Sequence, residues 1–267
     1  MIKNKFFLYA SAFFSGMSVM AIELGASRLL APYFSSSQIV WTVIIGTIMI
    51  AMAIGNVYGG RAADKNPNPA IMYRRLLCVA VWTAMIPFLG KYLIAAIAVG
   101  LALVVKSNFL IWASFAACIV LFVYPLMMLG TVTPSLMKYA TNSLDDNGKT
   151  VGELEALGTI GRIIGTFLPT FVTIPAVGTA MTFLIFAFVL AVLSLLYFIF
   201  EKTGKKNKIR KVTSNAVIAG IIVIMMFLPD KTVLRSGQAI WCMKGSRFTT
   251  ICRYRKMRIR SFFPPTS

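Results

Sequence analysis

Two charged side chains inside the first long apolar stretch are the residues best placed to do chemistry. Glu23 and Arg28 are the charged members of the stretch VMAIELGASRLLAPYF. A charge at the centre of a bilayer costs roughly 2.5–3.5 kcal/mol on insertion scales, so each side chain needs a partner or water. The two residues lie about 140° apart around a helix and do not face each other. We expect Arg28 to reach the membrane interface through its long stem, whereas Glu23 needs another helix.

Glu23 is open to two interpretations. A structural carboxylate would accept hydrogen bonds that fix the helix bundle, whereas a functional one would bind a ligand or a proton, a common role for intramembrane carboxylates. The predicted partner is Arg162, which lies in a later apolar segment. Glu155 lies seven residues before Arg162 on the same helix face, and we expect it to be too far away for a direct bond.

The glycines around Arg162 have the spacing of a helix-packing motif. Gly161 and Gly165 form a G-x-x-x-G step, and Gly158 lies about one turn earlier. Glycines let helix backbones approach closely in a membrane. We therefore expect this helix face to pack against another helix.

A second candidate site follows the second apolar segment, in the stretch GGRAADKNPNP. Arg61 and Asp64 lie one turn apart there, and Pro67 ends the helix. The stretch is similar in pattern to the loop after the second helix of major-facilitator transporters, although the further glycine and the paired basic residues of that motif are missing at the expected spacing. That resemblance would make Arg61 and Asp64 gating residues. The simpler interpretation is a capped, salt-bridged turn.

Composition indicates an integral membrane protein. The chain has 267 residues, of which 58% are hydrophobic and 13% charged, and its mean hydropathy is +0.79. Several runs reach the ~18 apolar residues that a crossing helix needs. We predict an all-α membrane protein, a polytopic bundle of about six to seven transmembrane helices within residues 1–230. The firm spans are 6–31, 39–60, 71–89, 109–137, 155–174 and 179–200, and the weaker segments are 91–105 and 214–228. We interpret 91–105 as re-entrant or as a kinked continuation of 71–89.

Several kinds of chemistry have no residues to support them. The sequence contains no histidine, which excludes histidine-based triads and histidine-ligated metals. Its four cysteines show no C-x-x-C spacing, so neither a metal site nor a disulfide framework is readable. The sequence thus predicts no catalytic residue, no metal and no cofactor.

Basic residues between the apolar spans predict the orientation in the membrane. Cytoplasmic loops carry an excess of Lys and Arg. They occur here before the first span, after the second, after 109–137 and throughout 202–211, whereas 32–38 and 175–178 carry none. We predict a multi-pass plasma-membrane protein with a cytoplasmic N-terminus. Lys202 to Lys211 would contact anionic lipid in the bilayer. A homo-oligomer stays open, and no specific nucleic acid is expected.

Four stretches together resemble the membrane domain of spermidine synthase-like proteins (polyamine aminopropyltransferases), a major-facilitator-like half. They occur in the family's order: IELGASRLLAPYF with the following serines and Trp41, IGNVYGGRAAD, YPLMMLGTVTPSLMK, and GELEALGTIGRIIGTFLPTFVTIPAVGTAMT. The resemblance implies a link to polyamine metabolism. In that family a soluble aminopropyltransferase domain follows the apolar part.

The last residues, 231–267, depart from that family. They hold nine Lys and Arg and no Asp or Glu, and they are too short for a nucleoside-binding sheet domain. We therefore do not expect this chain to transfer aminopropyl groups by itself. The short basic tail is interpreted as a remnant of a lost catalytic domain or as its start read in a shifted frame, because shifted codons from Cys242 onward permit an acidic, strand-like sequence.

Three functions stay open at this point. The first is the transmembrane module of a spermidine synthase-like protein without its catalytic domain. The second is a secondary transporter or half-transporter for a cationic substrate such as a polyamine or a proton, bound at Glu23. The third is a membrane scaffold that anchors a partner.

Overall fold

The computed structural model describes residues 5–34, 38–104, 109–140, 147–200 and 220–221. Two compact units divide the chain, 1–228 and 229–267, and the fold below is that of the first. The serines at 35–37, the basic cluster 202–211, most of segment 214–228 and the tail 231–267 lie outside the described residues.

The described part of the chain is helical and contains no strand. Two stretches of π-helix, Ile119–Val123 and Leu168–Thr173, follow α4 and α7. The eight α-helices are α1 (Lys5–Phe34), α2 (Gln38–Lys65), α3 (Pro69–Val104), α4 (Phe109–Cys118), α5 (Tyr124–Gly130), α6 (Val132–Ala140), α7 (Asn147–Phe167) and α8 (Ile174–Phe200).

Five helical runs are long and apolar enough to cross a membrane. A helix rises 1.5 Å per residue, so about 20 residues span the hydrocarbon core. The all-helical class is therefore confirmed, whereas the predicted number of six to seven membrane helices is not. The runs are Phe6–Phe34, Gln38–Lys65, Pro69–Leu101, Ile111–Ala140 and Gly148–Phe200.

Helix α3 decides between the two interpretations of segment 91–105. It continues without interruption from Pro69 to Val104 and contains Pro87. Residues up to Val104 extend the preceding helix, so segment 91–105 continues 71–89, as one of the two interpretations expected, and is not re-entrant. A proline inside a helix removes one backbone hydrogen bond, but packing against neighbouring helices offsets this loss.

The fifth run is broken at Gly178. This glycine has φ 89° and ψ 168°, a conformation that other residues rarely adopt. The hydroxyl of Thr182 donates to the hydroxyl of Thr173 at 3.1 Å. Nine residues of straight helix would separate these side chains by about 14 Å, so the chain changes direction between them.

Helices α1 and α7 pack in parallel through glycine. A Cβ atom added to Gly161 would overlap the carbonyl oxygen of Phe13, and one added to Gly165 would overlap that of Met17. Both contact positions move forward together along the two helices, which makes the helices parallel. Such backbone contact is the close approach that small residues permit in membranes.

Helix α2 packs in parallel against α5 and α6, again through close contacts between glycines and backbone. A Cβ atom on Gly55 would overlap the carbonyl oxygen of Met127, and one on Gly59 would lie 2.8 Å from the carbonyl oxygen of Thr131. Here too a glycine-bearing helix meets the backbone of its partner at successive turns.

The two packed pairs correspond in register. The offset in sequence from Gly55 to Gly161 equals that from Gly59 to Gly165, and the offset from Phe13 to Met127 equals that from Met17 to Thr131. One further contact in each pair obeys the same two offsets. Gly16 of α1 contacts Gly158 of α7, and Gly130 of α5 contacts Met52 of α2. The pairs α1–α7 and α2–α5/α6 are thus packed equivalently.

An aromatic cluster closes one end of the bundle around Tyr73 of α3. Its ring stacks on Tyr197 of α8 with centroids 4.0 Å apart. Its hydroxyl shares a 2.8 Å hydrogen bond with Ser11 of α1, and its backbone carbonyl accepts a 2.8 Å bond from Ser194. The start of α1, the start of α3 and the end of α8 therefore meet here.

Candidate functional site

Glu23 lies in the interior of α1 and is half-buried. The register of α1 against α7 decides which residues reach it. Because Gly161 faces Phe13, the neighbouring Arg162 lies about 14 Å from Glu23 along the bundle axis. The predicted Glu23–Arg162 pair is therefore wrong.

Arg162 instead pairs with Glu155 on its own helix. Its Nη1 lies 3.4 Å from Glu155 Oε1, and both side chains are partly exposed. The expectation that Glu155 was too far away is thus also wrong. Two helical turns rise only about 10 Å, and a long arginine and a glutamate that lean toward each other close that distance.

The other described acids also have partners. Asp64 pairs with Lys138 at 2.8 Å, and the hydroxyl of Tyr9 donates to the carboxylate of Glu153. The Tyr9–Glu153 bond joins the starts of α1 and α7 and had no signal in the sequence. Among the described residues, Glu23 is the acid for which no ion pair or hydrogen bond is found.

A row of threonines follows the face of Arg162 toward the level of Glu23. Thr166 donates to the carbonyl of Arg162 at 2.9 Å, and Thr170 donates to the carbonyl of Thr166 at 2.8 Å. The α1–α7 register sets Thr170 at about the height of Glu23. A threonine that donates its proton to the backbone keeps oxygen lone pairs for a cation.

Arg28 lies near the other end of α1 and is exposed. Its position fewer than two turns before Phe34 suits a side chain that reaches the interface. Arg28 and Glu23 make no ion pair with each other.

The structure separates the two residues predicted as a gate. Asp64 at the end of α2 binds Lys138 of α6, whereas Arg61 is exposed and has no carboxylate partner among the described residues. The Asp64–Lys138 pair joins two helices that already pack in parallel. At 66% and 49% side-chain exposure, it contributes about 0–1 kcal/mol.

A cavity of about 340 Å³ opens beside this pair, between the end of α2, the start of α3 and α6. Sequence reasoning did not find it. Three cations line it together with aromatic, apolar and small polar groups: Tyr58, Arg61, Ala62, Ala63, Lys65, Asn66, Ile71, Met72, Arg75, Ser135 and Tyr139.

The described residues contain no cluster of metal-ligand side chains. Of the cysteines in these ranges, Cys118 is buried, Cys78 is exposed, and both are free thiols.

Comparison of the chain with known protein families, with characterised proteins and with solved structures finds no match.

Proposed function

We propose that this chain is the membrane module of a spermidine synthase-like protein and that Glu23 binds a cationic amine within the bilayer. The observation that carries the proposal is the carboxylate of Glu23, half-buried inside α1 without an ion pair among the described residues. An ionised group in a membrane span needs a counter-charge. A cationic ligand provides one.

Polyamines fit this position chemically. They carry several ammonium groups on an apolar chain. An ammonium group only donates hydrogen bonds, so its binding site must provide acceptors. Around Glu23 the bundle offers a carboxylate and, at about the height of Thr170, hydroxyl oxygens that already donate to the backbone. The nearest positive side chain on α7, Arg162, is held by Glu155.

The proposed topology has six crossings with a cytoplasmic N-terminus in the plasma membrane. Its support is the parallel pairing of α1 with α7 and of α2 with α5 and α6, together with the break at Gly178, which favours separate crossings for α7 and α8. The end of the bundle that holds Asp64, Lys138 and Tyr73 also carries Lys65, Arg74 and Arg75. An excess of cations marks the cytoplasmic side.

Transport is the second candidate, and the equivalent packing of the two helix pairs favours it. If the six crossings are numbered in chain order, α1 and α7 are the first and fifth, and α2 and α5/α6 are the second and fourth. The first crossing then corresponds to the fourth and the fifth to the second, as expected for two three-helix repeats in opposite orientations. Inverted repeats of this kind build many secondary transporters, whose binding sites lie near the bilayer midplane. Under this alternative Glu23 binds the transported cation.

Spermidine binding and uptake test both candidates. The purified chain in liposomes would be measured for equilibrium spermidine binding and for uptake, alongside the variants Glu23→Gln and Glu155→Gln. The second is a matched control because it removes a carboxylate that is already paired at the end of the bundle.

We expect Glu23→Gln to weaken spermidine binding at least tenfold and Glu155→Gln to leave it within about twofold. Binding without uptake identifies a membrane module, and binding with uptake identifies a transporter. Unchanged binding in Glu23→Gln, or equal loss in both variants, would refute the site. A chain that neither binds nor transports spermidine would be left with the scaffold role.

A further inference from the structure

The cavity between α2, α3 and α6 has the charge of an anion site. Arg61, Lys65 and Arg75 line it, and none of the described Asp and Glu residues does. None of the three cations makes an ion pair with a described carboxylate. The nearby acid, Asp64, is neutralised by Lys138 at 2.8 Å. Three like charges around one cavity repel each other, and a bound anion would relieve that repulsion.

Arg75 is the most enclosed of the three cations. It is half-buried, and its guanidinium carbon lies 5.1 Å from the ring centroid of Tyr58. This cation–π contact links α3 to α2 and orients the guanidinium. It uses none of the guanidinium N–H donors, which form the fork that matches phosphate and carboxylate oxygens.

The walls supply further groups suited to an anion. Tyr139 donates its hydroxyl to the carbonyl of Asn68 at 3.4 Å, which is long for such a bond, and it also interacts with the Ser135 hydroxyl, so two hydroxyl groups line the cavity. Helix α3 begins at Pro69 beside the cavity, and the positive end of its macrodipole adds to the field of the cations.

The size and position of the cavity fit a phosphate group with an attached organic part. At about 340 Å³ the cavity is at the small end of ligand pockets. It lies at the charged end of α2 and the charged start of α3, which we expect to be at the level of lipid headgroups. Basic pockets between membrane helices at this level bind phosphorylated headgroups.

We infer that the cavity between α2, α3 and α6 is a binding site for a phosphate group, held by Arg61, Lys65 and Arg75. The group belongs either to an anionic phospholipid or to a soluble phosphate. This site is distinct from Glu23 in position and in the sign of its ligand, so it stands independently of the proposed amine site.

Melting of the purified full chain in detergent provides the test. The probes are inorganic phosphate against sodium chloride at equal ionic strength, and short-chain phosphatidylglycerol against phosphatidylcholine of the same chain length. The variant is Arg61→Gln with Arg75→Gln. Arg74→Gln is the matched control, because Arg74 is an exposed neighbouring cation that does not line the cavity.

We expect phosphatidylglycerol, phosphate or both to raise the melting temperature of the native chain. The double variant should need at least tenfold more probe for the same rise, and Arg74→Gln should behave like the native chain. A rise with phosphatidylglycerol alone assigns the site to lipid, and a rise with phosphate assigns it to a soluble phosphate.

Three results would overturn the inference. The first is the absence of any rise with either probe. The second is a native-like response in the double variant. The third is an equal loss of response in Arg74→Gln, which would reduce the effect to surface charge. If the double variant does not fold, Lys65→Gln replaces it, because Lys65 is exposed and also lines the cavity.

Discussion

Gly165 of α7 lies so close to Met17 of α1 that a Cβ atom on the glycine would overlap the methionine carbonyl oxygen. Backbone carbonyls cannot move aside as flexible side chains do, so any larger residue must push the two helices apart. The α1–α7 contact therefore depends on the absence of a side chain at this position.

Gly165→Ala should lower the unfolding free energy by about 1–3 kcal/mol, because overpacking a close contact costs that much. Gly46→Ala is the matched control. Gly46 also lies in a membrane helix but has nothing within 4 Å of the added methyl, and alanine has the higher helix propensity, so this variant should be neutral or more stable. Melting temperatures in detergent measure both. Equal effects would contradict the packing.

The equivalence of the two helix pairs makes its own prediction. Gly59→Ala in α2 should destabilise the chain about as much as Gly165→Ala, because the two glycines occupy equivalent positions. Gly60→Ala is the control, since its added methyl meets only Pro134 Cβ at 4.0 Å. A harmless Gly59→Ala would show that the second pair packs differently from the first.

Much of the helical organisation was readable from hydropathy, because burial in lipid demands long apolar helices. The predicted span 39–60 lies inside α2, Gln38–Lys65, and 179–200 lies inside α8, Ile174–Phe200. Pairing between helices was not readable. The Arg162–Glu155 bridge follows from side-chain length and direction, whereas the Tyr9–Glu153 bond and the cavity beside Arg75 depend on the register between helices. Apolar periodicity does not encode that register.

A double-mutant cycle should show that Asp64 is coupled to Lys138 and not to Arg61. The variants Asp64→Asn and Lys138→Met, singly and together, should give a coupling energy of about 0.2–1 kcal/mol that decreases in high salt, as for an exposed pair. The same cycle with Arg61→Gln should give a value near zero. A larger coupling between Asp64 and Arg61 would return these residues to the gating arrangement expected from the sequence.

Topology is testable by labelling from one side of the membrane. In a chain whose native cysteines are replaced, single cysteines at Ser36 and at Gly204 should react with an impermeant maleimide from opposite sides. The physical reason is the excess of Lys and Arg at 202–211, because short loops rich in these residues are expected on the cytoplasmic side. Reaction of both from the same side would exclude six crossings with a cytoplasmic N-terminus.

Thr83 of α3 makes a final prediction, because its hydroxyl is buried and has no hydrogen-bond partner in the described part of the chain. Pro87, one turn later, lacks the N–H that would normally bond to the Thr83 carbonyl. Both the hydroxyl and the carbonyl of Thr83 therefore lack their usual hydrogen-bond partners within the helix. A buried hydroxyl without a partner costs about 1–3 kcal/mol, and valine has almost the same shape. Thr83→Val should therefore raise the unfolding free energy.

The matched control is Thr47→Val in α2. The Thr47 hydroxyl is buried too, but it donates to the carbonyl of Val43 at 2.7 Å, so its removal should leave stability unchanged or slightly lower. Chemical denaturation in detergent would measure both variants. A loss of stability in Thr83→Val would mean that the hydroxyl binds a partner such as an internal water, which would make the turn around Pro87 a hydrated break in α3.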